Sequence, residues 1–168
     1  DIGTAPNCPN QGFGTTTNSC SGYAIEQNTF TGSTAIPGTT STGISITNSG
    51  QTYNEVYKNS FQNVTYGNNA NLQNALSYPL YGLTYLCNTN TGIKYDFYVT
   101  GNPASMISPY QRSGSSIATG NTFSTNAINN FYNGGRTPVF YYHSTGQAPL
   151  SYSGIQLMTA GSNTCPLH

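Results

Sequence analysis

Apolar and polar residues alternate most cleanly over residues 93–100. Ile93, Tyr95, Phe97 and Val99 fall on one parity, and Lys94, Asp96, Tyr98 and Thr100 on the other. A period of two is the signature of a half-buried strand. The first set is expected in the core. The second is expected toward solvent, with Lys94 and Asp96 on one face. Ile44 and Ile46 alternate with Ser45 and Thr47 in the same way. Further strands are predicted within residues 22–30, 53–66, 78–87, 117–123, 137–143 and 152–159. Pro138 heads its strand, where a missing N–H is tolerated. Residues 67–77 carry Ala70, Leu72 and Leu76 at loose helical spacing and read as a helical turn. Residues 125–132 read as one helical turn after a Ser/Thr cap, or as a strand. Asn133-Gly134-Gly135 predicts a tight hairpin, because Asn-Gly takes the positive φ such turns need. Residues 1–21, 31–42 and 101–116 read as loop.

The sum is roughly seven to nine short strands separated by Gly/Asn turn signals. This pattern predicts an all-β fold, an Ig-like or jelly-roll β-sandwich with at most one or two short helical turns. The expected organisation is a single extracellular domain over residues 1–168, with 1–21 as a disulfide-closed loop region. No repeat with the period of a solenoid or propeller is read from the chain.

Composition sharpens this. Only 5% of the 168 residues are charged, and the net charge is zero. Four cations (Lys58, Lys94, Arg112, Arg136) cannot neutralise a run of phosphates, so a nucleic-acid binder is excluded. A polybasic membrane-surface binder is excluded for the same reason, and no apolar stretch is long enough to insert as a helix. Asn, Thr, Ser and Gly make up about half the chain. The 14 Tyr and 7 Phe supply the burial area that a disordered chain lacks. A mature, secreted chain freed of its leader is expected from the start at Asp1.

Cys8, Cys20, Cys87 and Cys165 are an even set with no CxxC spacing. Disulfides in an oxidising compartment are the reading, rather than a metal or thioredoxin-type site. Of three connectivities, the favoured one is Cys8–Cys20 with Cys87–Cys165.

Catalytic chemistry finds little support. His143 and His168 are the only imidazoles, no GxSxG elbow occurs, and the four carboxylates are scattered. The protein is read as not an enzyme, with no cofactor and no metal. His143 is expected to be a strand-end histidine bonded to backbone. Recognition is the alternative, since Tyr offers contact area at low entropy cost with a hydroxyl to bond. Against so little charge, Arg112 and Arg136 stand out as carboxylate grips. The candidate ligand-binding set is Tyr110, Arg112, Tyr132, Asn133, Arg136 and Tyr142.

The segment Arg136-Thr-Pro-Val-Phe-Tyr-Tyr-His143, followed by Ser153-Gly-Ile-Gln-Leu-Met-Thr-Ala160, resembles the late strands of chaperone–usher fimbrial subunits. More narrowly, it is similar to the receptor-binding domains of their tip adhesins, where a Pro-led apolar strand precedes a loop and a Gly-led strand. The resemblance implies a jelly-roll with a pocket at one loop-bearing tip. It also implies a place on the bacterial surface, at a fimbrial tip or in a filament. The expected function is an extracellular adhesin domain binding a host glycan or host surface protein, with other pilus subunits as further partners. The alternative is a structural subunit of an extracellular filament, a pilin or donor-strand thread.

Overall fold

The computed structural model describes residues 11–33, 40–50, 52–75, 81–100, 102, 105–113, 117–161 and 165. Its strands are short because left-handed residues cut them at matching places. β1 (Gln11–Asn18), β4 (Thr40–Thr47) and β7 (Tyr66–Asn71) are followed by Ser19, Asn48 and Leu72, at φ 55°, 57° and 56°. β2 (Ala24–Glu26), β5 (Asn54–Tyr57) and β8 (Leu83–Leu86) are followed by Gln27, Lys58 and Cys87, at φ 58°, 51° and 59°. Then come β3 (Thr29–Thr31), β6 (Ser60–Gln62) and β9 (Thr89–Thr91). The chain therefore turns the same corners on each pass, and each pass lies beside the last.

Among the described residues every pair of named strands is parallel, and only two isolated bridges, Ala75 with Gly82 and Ser113 with Ile117, run the other way. Gln11 pairs with Thr40, Ala24 with Glu55 and Thr29 with Ser60, so partners stand about 30 residues apart. One sheet has six strands in the order β1-β4-β7-β10-β12-β14, where β10 is Tyr95–Val99, β12 Asn129–Asn133 and β14 Tyr152–Ser153. A second face stacks β2-β5-β8, and β11 (Tyr110–Gln111), β13 (Val139–His143) and β15 (Ile155–Thr159) continue from it as a further three-stranded sheet. Between β8 and β11 a side chain replaces the backbone rung. Tyr85 N–H donates to Gln111 Oε1 (3.0 Å), and Gln111 Nε2 donates to Leu83 O (3.0 Å). The third face stacks β3-β6-β9. Ile44, Val56, Phe61, Leu83, Tyr85, Phe97, Phe131 and Tyr141 from these faces meet in one core.

The all-β expectation holds, with no helix among the described residues. The sheets share a core between them as sandwich layers do, but Ig-like and jelly-roll connections are antiparallel, and here each strand pairs with its counterpart on the next coil. The arrangement is a parallel β-solenoid, and the period that was not read from the sequence is real. It is carried by Asn28-Thr-Phe30, Asn59-Ser-Phe61, Asn88-Thr-Asn90 and Asn121-Thr-Phe123. Residue by residue these form a ladder, buried at Asn59, Asn88 and Asn121. Asn28 N–H donates to Asn59 Oδ1 (3.0 Å), Asn59 N–H to Asn88 Oδ1 (3.0 Å) and Asn88 N–H to Asn121 Oδ1 (2.8 Å).

Several local expectations are corrected for the same reason. Residues 66–71 form a strand, not a helical turn, because β7 lies between β4 and β10. Asn133-Gly134-Gly135 joins strands of two different sheets, so it is a corner and not a hairpin. Within 1–21, Gln11–Asn18 is a strand laid along β4. Residues 117–123 make only isolated bridges.

In β10, Phe97 and Val99 face inward as expected, but Tyr95 lies half-exposed on Tyr66 and Asp96 is fully buried. The cause is one inward column at this corner. Register places Gly14, Gly43 and Gly67 in line with Asp96 and Asn130. Glycine is required at Gly43, where a Cβ would stand 2.5 Å from Phe61 Cδ1. Stacked Phe30 and Phe61 (5.1 Å) fill the room the glycines leave. On the next coil Asn90 replaces Phe, and Asp96 turns into the space above. Lys94 remains exposed, so the two charges do not share a face. Ile155 and Leu157 pack against the core while partly buried.

Cys87 and Cys165 form a disulfide, tying the chain beyond β15 back to the corner after β8. Cys20 is an exposed free thiol, and Cys8, its expected partner, lies outside the described residues.

Candidate binding site

β13 organises the site. Val139 and Tyr141 point into the core, so Phe140 and Tyr142 point out. Parallel register sets Tyr110 and Gln156 on either side of Phe140, and Met158 beside Tyr142. Tyr110 stacks on Phe140 with centroids 5.4 Å apart and planes 18° from parallel. Arg112 follows on the same parity as Tyr110. Its Cζ lies 4.9 Å from the Tyr110 ring centre and 5.4 Å from that of Tyr142. A guanidinium over two ring faces is held by cation–π attraction and oriented by it.

At the other end of β13 lies a cleft of about 340 Å³, lined by Asn133, Gly135, Arg136, Pro138, Gly154 and Gln156 among others. Arg136 is exposed on it, its backbone N–H donating to Ser105 O at 3.1 Å. Asn133 builds the wall rather than offering its amide. Its Nδ2 donates to Thr137 O and Gly154 O, both at 2.9 Å, and its Oδ1 accepts from Gly135 N–H at 3.2 Å. Gln156 borders both the cleft and Phe140, so cleft and aromatic row are continuous.

The expected set thus divides. Tyr110, Arg112 and Tyr142 come together, and Arg136 with Asn133 forms the cleft. Tyr132 belongs elsewhere: it stacks on Tyr98 (4.8 Å) in the six-stranded sheet. Its β12 strand turns the corner before β13, which puts the two rings on different faces. Phe140 and Gln156 join the site without having been singled out. The parity of β13 was the available signal for Phe140, while Gln156 needed the register of β15.

Asp96, Tyr85 and Tyr141 are titratable groups fully buried in the interior. Asp96 Oδ2 accepts from Ser124 N–H (2.9 Å) and Asn130 Nδ2 (2.8 Å). Burial outweighs both donors and pushes its pKa up to about 6. Tyr85 and Tyr141 are raised above the ordinary phenol value, chiefly by burial. His143 Nδ1 lies 3.0 Å from Ser144 O, as a strand-end histidine bonded to backbone does. Among the described residues no three His, Cys, Asp or Glu lie close enough to hold a metal ion. The arrangement can grip and stack.

Fold and face define a parallel β-solenoid that presents an aromatic row with an arginine toward each end. No family model, no curated protein and no solved structure matches the chain.

Proposed function

We propose that this protein is an extracellular bacterial adhesin domain, non-catalytic, that holds a host glycan or surface protein on the outer face of β11, β13 and β15. The observation that carries the reading is Arg112 placed over Tyr110 and Tyr142. An oriented guanidinium donates two parallel hydrogen bonds to a carboxylate, and the adjoining rings supply a surface for sugar C–H groups or peptide side chains. Arg136 stands six residues before Tyr142, roughly 20 Å along an extended strand. A ligand spanning both is extended and acidic, such as a carboxylated glycan chain or an acidic peptide segment. The Cys87–Cys165 bridge supports an oxidising, extracellular setting.

The test replaces Arg112, Tyr142 and Arg136 by Ala one at a time, with binding measured on an array of acidic glycans, neutral glycans and host surface proteins. A true anchor costs about 2 kcal/mol, roughly thirtyfold in affinity, with the melting temperature preserved. Unchanged affinity in all three folded variants removes this face from the site.

One observation favours the filament reading. Among the described residues β14 and β15 each pair on one side only, leaving backbone donors and acceptors open at the end of the solenoid. A neighbouring copy stacking there would propagate head to tail. Sedimentation of the purified protein separates the two readings.

A further inference from the structure

The outer face of the six-stranded sheet carries a second aromatic cluster that the binding site does not use. Tyr66 and Tyr95 are register partners on adjacent coils, stacked at 5.0 Å with planes 13° apart. Tyr98 and Tyr132 are register partners on the next pair of coils, stacked at 4.8 Å and 14°. Tyr98 joins the two stacks edge-on, 5.2 Å from Tyr66 and 5.3 Å from Tyr95. All four residues are partly exposed. Their ring faces are largely spent on one another, so the cluster makes a poor platform for a sugar. What it leaves accessible are ring edges and phenol groups. Face-to-face phenols held on a fixed backbone with ring centres about 5 Å apart are arranged for radical coupling. Bringing the reacting atoms together in advance is what raises the rate of such a step.

We propose that this cluster is a site of oxidative cross-linking, in which Tyr66 couples to Tyr95 and Tyr98 to Tyr132 as dityrosine when a peroxidase-type oxidant is present. Each phenol gives up one electron and one proton to become a phenoxyl radical. Two radicals join through their ortho carbons, and the ortho hydrogens pass to the oxygens as the rings regain aromaticity. Each bond removes two hydrogen atoms, which reduce one hydrogen peroxide to two waters. The new bonds would run across the coil boundaries along the axis of the solenoid, adding to the Cys87–Cys165 bridge that already spans these coils.

The full chain is exposed to hydrogen peroxide with a haem peroxidase and then digested with trypsin. Cleavage at Lys58, Lys94, Arg112 and Arg136 places Tyr66, the Tyr95/Tyr98 pair and Tyr132 on three separate peptides. After reduction of the Cys87–Cys165 bridge, each single link gives a cross-linked peptide pair lighter than its components by two hydrogen atoms, and both links together give a three-peptide species lighter by four, with biphenol fluorescence in protein that stays monomeric. Tyr95→Phe should lose the first link and keep the second, and Tyr132→Phe the reverse, since Phe preserves the stacks. Tyr53 and Tyr81 are the internal comparison, more exposed but tilted by 51° at 5.8 Å. No dityrosine, links mapping to Tyr53–Tyr81, or covalent dimers as the main product would each overturn the proposal.

Discussion

Asp96 is fully buried in a chain with hardly any charge. One carboxylate oxygen takes two donors, while Oδ1 finds no partner among the described residues. Burial raises the folded pKa to about 6 from an ordinary value of 3.8. Between those values the folded state holds a proton that the unfolded state has released. Stability therefore falls as pH rises through this window, and is highest below it. A shift of this size is worth on the order of 3 kcal/mol. The melting temperature should climb as the pH is lowered from about 7 to about 4, opposite to acid denaturation. Asp96→Asn keeps an oxygen for Ser124 and Asn130 and should flatten the profile. Thermal melts across the range read this directly, and a slope that survives in Asp96→Asn would assign it to another group. Asn68 shows the same tolerance of interior polarity. It lies in line with Ile44 and Phe97, fully buried, with neither amide atom bonded among the described residues.

The repeating element is the corner. A left-handed residue is followed by an asparagine at Gln27-Asn28, Lys58-Asn59, Cys87-Asn88 and Gly120-Asn121, and the amides of Asn59, Asn88 and Asn121 reach to the coils on either side. Asn88 accepts from Asn59 N–H and donates to Val56 O at 2.8 Å, both buried. Asn88→Ala orphans both groups and should cost about 2–4 kcal/mol. Asn28 is exposed at the end of the ladder, and Asn28→Ala should cost about 1 kcal/mol or less. Urea unfolding of the two variants checks this contrast, and equal losses would mean the ladder contributes no more inside than at its end. The strands themselves were legible from alternation: Ile44, Ile46, Phe97, Val99, Val139 and Tyr141 are buried as their parity requires. Their pairing was not legible, because a strand of three residues such as Thr29–Thr31 is too short to show a period. The repeat that fixes the pairing is Asn plus a hydroxyl plus one large residue, spaced by 31, 29 and 33. In a chain so rich in Asn and Thr that signal is submerged. The site was half legible for a related reason. Tyr110 and Arg112 share a strand's parity, but only register brings Tyr142 to them and takes Tyr132 away.

The molecule is held along its axis by ladders and across its coils by the Cys87–Cys165 bond, which spans 78 residues. In the chain-entropy view, closing a loop of that length stabilises by about 4 kcal/mol. Reduction should lower stability by that order, and amide exchange should quicken first in β13 and β15 while β4 and β7 stay protected. Uniform quickening would show that the coils unfold as one unit. Parallel coils also impose a schedule on the chain. With partners 16 to 34 residues apart in the coil-to-coil ladders, no hairpin can start the fold, and loop closure must precede each reward. Each finished coil offers its open edges as templates for its neighbours, so winding spreads from one coil to the one beside it. Cys165 comes after β15 and is held beside Cys87 once the coils between them are laid down. That pair therefore works as a clasp: winding brings the two sulfurs together, and the bond then keeps the later coils from peeling away.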